Sequence, residues 1–70
     1  MDRKFRLENK PFVELKNLLK IMDYVNSGGE AKIKIQSGDI VVNDEVETRR
    51  GRKLIKGDII HVDLDKIEIA

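Results

Sequence analysis

Apolar residues between Phe12 and Val25 recur at steps of three and four, the spacing of one face of an amphipathic helix. The stripe comprises Phe12, Leu15, Leu18, Leu19, Met22 and Val25. Pro11 suits the first turn of a helix, so the pattern predicts a helix from about Pro11 to Asp23-Tyr24, with its whole stripe in the core. Before it, residues 4–8 alternate polar and apolar, which predicts a short half-buried strand.

A second helix is indicated by signals at its two ends. Ser27 and Glu30 have the spacing of a capping box, in which each side chain accepts from a backbone N–H at the helix start. Gly38 stands where helices commonly end in a left-handed residue. Residues 31–36 alternate apolar and polar, which taken alone favours a strand. We give the end signals more weight and predict a helix of about three turns.

Four short strands are predicted after the helices. Residues 40–42 are β-branched, Asn43-Asp44 suits a tight turn, and residues 46–48 return as the second strand. After a turn at residues 56–58, residues 59–64 and 67–69 form a hairpin around Asp65-Lys66. The order of strand, two packed helices and a small four-strand region predicts an α+β fold, with residues 1–70 as a single domain.

The composition argues against an enzyme. A chain of 70 residues leaves little interior for a deep pocket. It contains no cysteine, which excludes disulfides, thiolate catalysis and sulfur-ligated metals. The only histidine, His61, has no nucleophile pattern near it and is expected to be structural. We therefore predict no catalytic residue, metal or cofactor.

No segment has the pattern of a signal peptide or the roughly 20 apolar residues of a membrane span. We expect a cytoplasmic protein that makes no membrane contact. No exposed apolar stripe is evident in the sequence, so a monomer is expected.

Charge is concentrated although the formal net charge is only +1. Residues 49–53 read Arg-Arg-Gly-Arg-Lys, and the preceding residues 44–47 are mostly acidic. A local cationic patch attracts polyanions whatever the net charge, and the planar fork of arginine matches phosphate. By itself such a run is more often a solvated loop, and Glu45 and Glu47 would neutralise it in part.

Several of these residues together resemble the S4 domain, an RNA-binding family. The matching positions are Leu15, Leu19, Ser27, Ala31, Ile35, Gly38, Ile40, Val42, Asn43 and Gly57-Asp58. Residues 27–32 and 42–50 are similar to two segments of the small stand-alone YbcJ-like S4 proteins. The chain departs from the general family pattern where arginines are usual, with Glu14, Gly28 and Gly29 in those places, and Asp44 replaces the usual glycine of the turn.

The resemblance implies the S4-like (αL) fold and non-enzymatic recognition of structured RNA, with ribosomal RNA as one candidate. We expect RNA contacts at the start of the second helix, at the turn and in the basic run, namely at Ser27, Gly28, Gly29, Lys32, Asn43, Arg49, Arg50, Arg52 and Lys53. A helix start offers backbone donors to phosphate, and it would form one continuous face with the basic run. The alternative is a protein-interaction module whose basic run binds an acidic partner.

Overall fold

The computed structural model describes residues 1–70 and contains two helices and seven strands. The helices are α1 (Leu15–Ile21) and α2 (Gly28–Gln36). The strands are β1 (Asp2–Phe5), β2 (Val13–Glu14), β3 (Ile40–Val42), β4 (Glu45–Val46), β5 (Lys53–Leu54), β6 (Ile59–Val62) and β7 (Asp65–Ile69).

Five strands form one sheet in the order β1-β7-β6-β3-β4, and β2 pairs with β5 in a separate two-stranded sheet. β1 runs parallel to β7, and all other pairs are antiparallel. Residues alternate between the two faces, as a pleated strand requires. The buried face carries Ile40, Val42, Ile60, Val62, Ile67 and Ile69. His61, Lys66 and Glu68 are exposed on these same strands, so one face of the sheet belongs to the core and the other to solvent.

The core is one cluster of 15 buried apolar residues that joins this sheet face to both helices. α1 contributes Leu15, Leu18 and Leu19, whereas α2 buries only Ala31 and Ile35. α2 therefore packs along a narrow stripe, and most of its surface faces solvent. This position leaves the start of α2 and the loops at the ends of the strands available for contacts with other molecules.

α2 confirms the prediction made from its end signals, but the predicted start of α1 is wrong. Residues 13–14 are extended and pair with β5, and the helix begins only at Leu15. The N–H groups of Leu15 and Lys16 donate to the carbonyls of Arg52 (2.9 Å) and Arg50 (3.0 Å). These long-range partners satisfy donors that a helix start leaves free. Phe12 consequently lies outside the helix, and it does not belong to the core cluster.

The strand boundaries also differ from the sequence prediction. β1 spans residues 2–5, because it pairs in register with residues 66–69 of β7, and that strand ends at Ile69. Glu8 and Asn9 follow with positive φ angles of 52° and 71°. The last hairpin turns at Asp63-Leu64 and not at Asp65-Lys66, and Asp63 has a φ of 54°. β4 spans residues 45–46 in place of 46–48. The partner strand β5 was not predicted, so five strands and not four follow the helices.

Candidate nucleic-acid interface

The basic loop (residues 49–53) is organised around Glu47, the one charged residue that the fold buries, at 6% exposure. Arg49 donates to this carboxylate through Nε (2.9 Å to Oε2) and Nη2 (3.1 Å to Oε1). The backbone N–H of Arg49 also donates to Oε2 at 3.0 Å. Arg52 Nη1 donates to Oε1 at 2.6 Å. One carboxylate thus orients two of the arginines.

The arginines keep Glu47 ionised. The side-chain hydrogen bonds from Arg49 lower the pKa of Glu47 to about 2, against the effect of burial, and the Arg49 backbone N–H and Arg52 act in the same direction. Charge-assisted hydrogen bonds of this kind favour the ionised carboxylate over the neutral acid. Glu47 does neutralise part of the basic loop, although through contacts with nearby residues of the loop and not through the cross-strand pairs expected. Glu45 is exposed and forms no ion pair.

Arg50 and Lys53 are the two cations of the basic loop without a carboxylate partner. The Arg50 side chain is exposed and makes no hydrogen bond within the protein. The Lys53 ammonium lies 5.0 Å from the centroid of the Phe12 ring. Arg49, Arg52 and Lys53 line one open depression together with Gly51. The geometry presents two cations without a carboxylate partner beside two that Glu47 orients.

The start of α2 is capped and sterically open. Ser27 Oγ accepts from the N–H of Glu30 (3.2 Å), and Glu30 Oε1 accepts from the N–H of Asn26 (2.8 Å), one residue before the cap. A Cβ atom at Gly28 would meet no atom within 4 Å, and one at Gly29 would lie 3.8 Å from Ser27 Oγ. The packing therefore does not require glycine at either position. Glycine also lowers the stability of a helix, so neither the packing nor helix propensity explains the two glycines.

Lys32 and Asn43, two further predicted RNA contacts, differ in whether their side chains already bind other groups of the protein. Lys32 is exposed and forms no ion pair. Asn43, at a φ of 51°, uses both ends of its amide: Nδ2 donates to Asp58 Oδ1 and Oδ1 accepts from the N–H of Ile59, each at 2.9 Å. Asn43 therefore has a structural role in joining the β3–β4 turn to the start of β6, and its contact with RNA stays a prediction.

The structure ties the basic loop to the start of α1 and not to the start of α2. The carbonyls of Arg50 and Arg52 accept from the first residues of α1, whereas Ser27 follows the other end of that helix in the chain. No hydrogen bond or ion pair joins residues 27–32 to residues 49–53. The continuous face between these two parts stays a prediction.

Two residues of this region were not singled out as site residues from the sequence. Glu47 was considered only as a charge that neutralises its neighbours, although its spacing to Arg49 and Arg52 allows one carboxylate to hold both. Phe12 was assigned to the core stripe because the helix was predicted to start too early. In the structure its ring instead stands next to Lys53 at the end of the basic loop.

The structure offers no arrangement for metal chemistry, since no three His, Asp or Glu side chains are grouped to hold a metal ion. His61 is exposed on the solvent face of β6. Neither helix has the length and apolar character needed to cross a membrane.

Comparison with known proteins relates the chain to one family over nearly its full length. The S4 domain family matches residues 5–70. A Bacillus subtilis (strain 168) protein described as the probable ribosome maturation protein RlbA is 41% identical over 51 residues, which cover 73% of this chain and 72% of that protein. The putative RNA-binding protein YbcJ of Escherichia coli (strain K12) is 41% identical over 56 residues, 80% of each chain.

The fold is shared as well. The solution structure of Escherichia coli YbcJ, described as having a motif involved in RNA binding, superposes with a TM-score of 0.71 at 34% identity, covering 96% of this chain and 85% of that one. The two packed helices and the sheet thus agree with the α+β, S4-like arrangement predicted from the sequence. The chain belongs to the S4 domain family.

Proposed function

We propose that this protein binds structured RNA through the basic loop and the start of α2, with residues 1–70 acting as one binding unit and without catalysis. The observation that carries the proposal is that Arg50 and Lys53, which have no carboxylate partner, lie beside two arginines that Glu47 already orients. The relatives described as a putative RNA-binding protein and a probable ribosome maturation protein support it. They make ribosomal RNA fragments the first ligands to test.

The physical basis is electrostatic and geometric. Cations that replace counterions along a phosphate backbone gain affinity from counterion release, and guanidinium groups add bidentate hydrogen bonds. The N–H groups at the start of α2 offer a second phosphate contact, and Lys32 lies one turn into the helix. Because these contacts all involve the RNA backbone, recognition depends on RNA shape more than on sequence.

The double substitution Arg50→Ala with Lys53→Ala tests the proposal. Affinity for structured ribosomal RNA fragments should fall, and the slope of log affinity against log salt should flatten by about 1 for each phosphate that is no longer neutralised. The matched control replaces Lys4 and Lys66, which are exposed on β1 and β7, and so removes the same charge elsewhere. Fluorescence anisotropy at several salt concentrations measures both quantities.

The control should retain most of the affinity, because a charge outside the proposed contacts acts only through the general field. If both double variants bound RNA as the unmodified protein does, the loop would not be the RNA site. An acidic protein partner for the same cations would then be the better explanation, and binding that survives nuclease treatment would identify it.

A further inference from the structure

An apolar groove lies between the N-terminal segment and α1, and the proposed RNA contacts do not use it. Its volume is about 380 Å³, which falls within the roughly 300–1,000 Å³ typical of small-molecule sites. The apolar part of its lining consists of Phe5, Leu7, Phe12, Val13 and Ile21. Ile21 is 60% exposed, so the groove carries more apolar surface than the fold needs to bury.

Phe12 is the aromatic residue of this groove that does not pack against the core, and its one contact with a charged group is with the Lys53 ammonium, 5.0 Å from the ring centroid. Phe5 packs against the core cluster, whereas Phe12 is only half-buried and does not belong to the residues that pack there. An aromatic ring that is only half-buried suits recognition, because it offers a rigid apolar face at low entropic cost. Phe12 therefore presents an aromatic surface to a ligand of the groove.

The charges around the groove select an anionic ligand. Lys10 and Lys20 line it and are exposed, and the Lys53 ammonium stands over the Phe12 ring. Glu14 is the only carboxylate in the lining. Two lysines in the lining and a third over the Phe12 ring suit a ligand that combines a flat π-system with phosphate.

The groove adjoins the basic loop, because Phe12 in its lining lies next to Lys53. Phe12 immediately precedes β2, and β2 pairs with β5 so that Glu14 lies opposite Lys53, the last residue of the loop. An RNA phosphate held at Lys53 would therefore lie close to the Phe12 ring. A nucleotide next to that phosphate would reach the Phe12 ring without a second docking event.

We propose that this groove accepts one unpaired nucleotide of the bound RNA, with its base against the Phe12 ring and its phosphates beside Lys10, Lys20 and Lys53. The proposal rests on the function proposed above and adds to it a preference for structured RNA that has an extruded base. The aromatic residues are too few for a stacking platform that reads several bases, but a single ring is enough for one. Because every base has a stacking face, the groove should accept any base.

The test compares two RNA hairpins, one fully paired and one with a single unpaired 2-aminopurine. Phe12→Leu keeps the apolar bulk but removes the ring, and should weaken binding of the bulged hairpin roughly five- to hundredfold, the range expected when one base no longer stacks on an aromatic ring. Binding of the paired hairpin should stay unchanged. Phe12→Tyr keeps the ring and should retain the preference. In the unmodified protein, 2-aminopurine fluorescence should change on binding, and Phe12→Leu should abolish that change.

A second measurement is independent of RNA binding at the loop. Titration with adenosine monophosphate, followed by NMR, should shift the ring protons of Phe12, and the Phe12→Leu variant should show weaker nucleotide binding. Inorganic phosphate should shift Lys10, Lys20 or Lys53 signals but leave the ring unaffected. Equal weakening of both hairpins, no weakening of either, or ring signals insensitive to the nucleotide would overturn the groove proposal. The loop proposal would then stand or fall on the Arg50 and Lys53 variants alone.

Discussion

Glu47 illustrates how a single carboxylate can prepare a cationic surface for a polyanion. A buried charge is costly unless it is paired and hydrogen-bonded, and four hydrogen bonds from Arg49 and Arg52 surround this one. The same bonds restrict the arginine side chains, which otherwise lose rotamer freedom on binding. Each guanidinium keeps further N–H donors that Glu47 does not use. The loop thus has less net positive charge but a better-defined arrangement of its arginines.

The substitution Glu47→Gln separates orientation from charge. The variant gains one unit of positive charge, so electrostatic attraction alone would tighten RNA binding. We expect binding to weaken severalfold instead, because Arg49 and Arg52 lose their common acceptor and must be ordered when the RNA binds. The matched control is Glu45→Gln, which changes the charge equally at an exposed residue without an ion pair. The RNA affinities of the two variants, measured at one salt concentration, show whether the added positive charge or the loss of arginine orientation has the larger effect.

The pH dependence of stability shows whether the Glu47→Gln variant has lost the ion pairs of Glu47. The pKa of Glu47 is about 2 in the folded protein, below its ordinary value of 4.5, so its stabilising effect is complete above pH 4.5 and is lost as the pH falls through 2. We expect a contribution of about 2 kcal/mol, less than the full shift implies because Arg49 is largely exposed. Urea unfolding between pH 2 and 7 should show this loss in the Glu45→Gln protein and not in Glu47→Gln. Tighter RNA binding by Glu47→Gln would contradict the orienting role.

At the scale of elements, α2 begins with two glycines that lower helix stability for no evident packing gain. A residue that is unfavourable for folding and free of steric constraint is a candidate for close approach by a ligand. Gly28→Ala or Gly29→Ala should raise the free energy of unfolding by up to about 1 kcal/mol. The same change should weaken RNA binding, because the added methyl group stands where a phosphate would meet the backbone N–H groups.

Urea unfolding and RNA titration on the same samples measure the expected gain in stability and the expected loss of RNA affinity. Gln36→Ala, at the exposed last residue of α2, is the matched control. It improves helix propensity slightly and should leave RNA binding unchanged. A glycine variant that is more stable and binds RNA as well as the unmodified protein would remove the start of α2 from the interface.

The elements that the sequence predicts well are those whose signals are local. α2 follows from its cap and its terminal glycine even though residues 31–36 alternate like a strand, and Gly38 has the expected positive φ of 88°. The start of α1 depends on a backbone pairing with β5, far along the chain, and no local pattern announces it. The turn of the last hairpin differs from the prediction for a related reason. Asp65 lies in β7, where it pairs with Val62 and accepts from Tyr24 Oη at 2.6 Å.

The candidate site follows the same division. The cationic run and the capped glycine pair are visible in the sequence because each is a contiguous segment. The engagement of Arg49 and Arg52 by Glu47, and the position of Phe12 beside Lys53, are consequences of tertiary packing. Contacts between residues on different elements need the register of the sheets, and a one-residue change of register would turn each side chain to the other face.

For the whole molecule, size sets how much any contact matters. Folded domains are stabilised by about 0.05–0.15 kcal/mol per residue, which for 70 residues gives about 4–10 kcal/mol. The core that supplies this consists of 15 residues in one cluster, so no second core compensates for damage to the first. The net charge of +1 says little by comparison, since the function proposed for the chain depends on where its cations lie.

Ile60 and His61 are neighbouring residues of β6, the central strand of the five-stranded sheet. Together they test how strongly the stability of the fold depends on its single core. Ile60 is fully buried between Val42 and Ile67 on the adjacent strands, so Ile60→Ala should cost about 2–5 kcal/mol through reduced burial and the cavity left behind. His61 faces solvent, and His61→Ala should change the free energy of unfolding by no more than about 0.5 kcal/mol. Urea unfolding measures both.

The loss of stability in Ile60→Ala should also lower its apparent affinity for RNA. A decrease of about 2–5 kcal/mol is a large share of the stability expected for this chain, so Ile60→Ala should lower the fraction of folded protein and hence the apparent RNA affinity without any change at the interface. Its salt slope should stay that of the unmodified protein, because the folded fraction still neutralises the same phosphates. A flattened slope in Ile60→Ala would show that the slope does not report on the loop. An unchanged slope would establish that the flattening expected for the Arg50 and Lys53 variants arises from the removal of their cations.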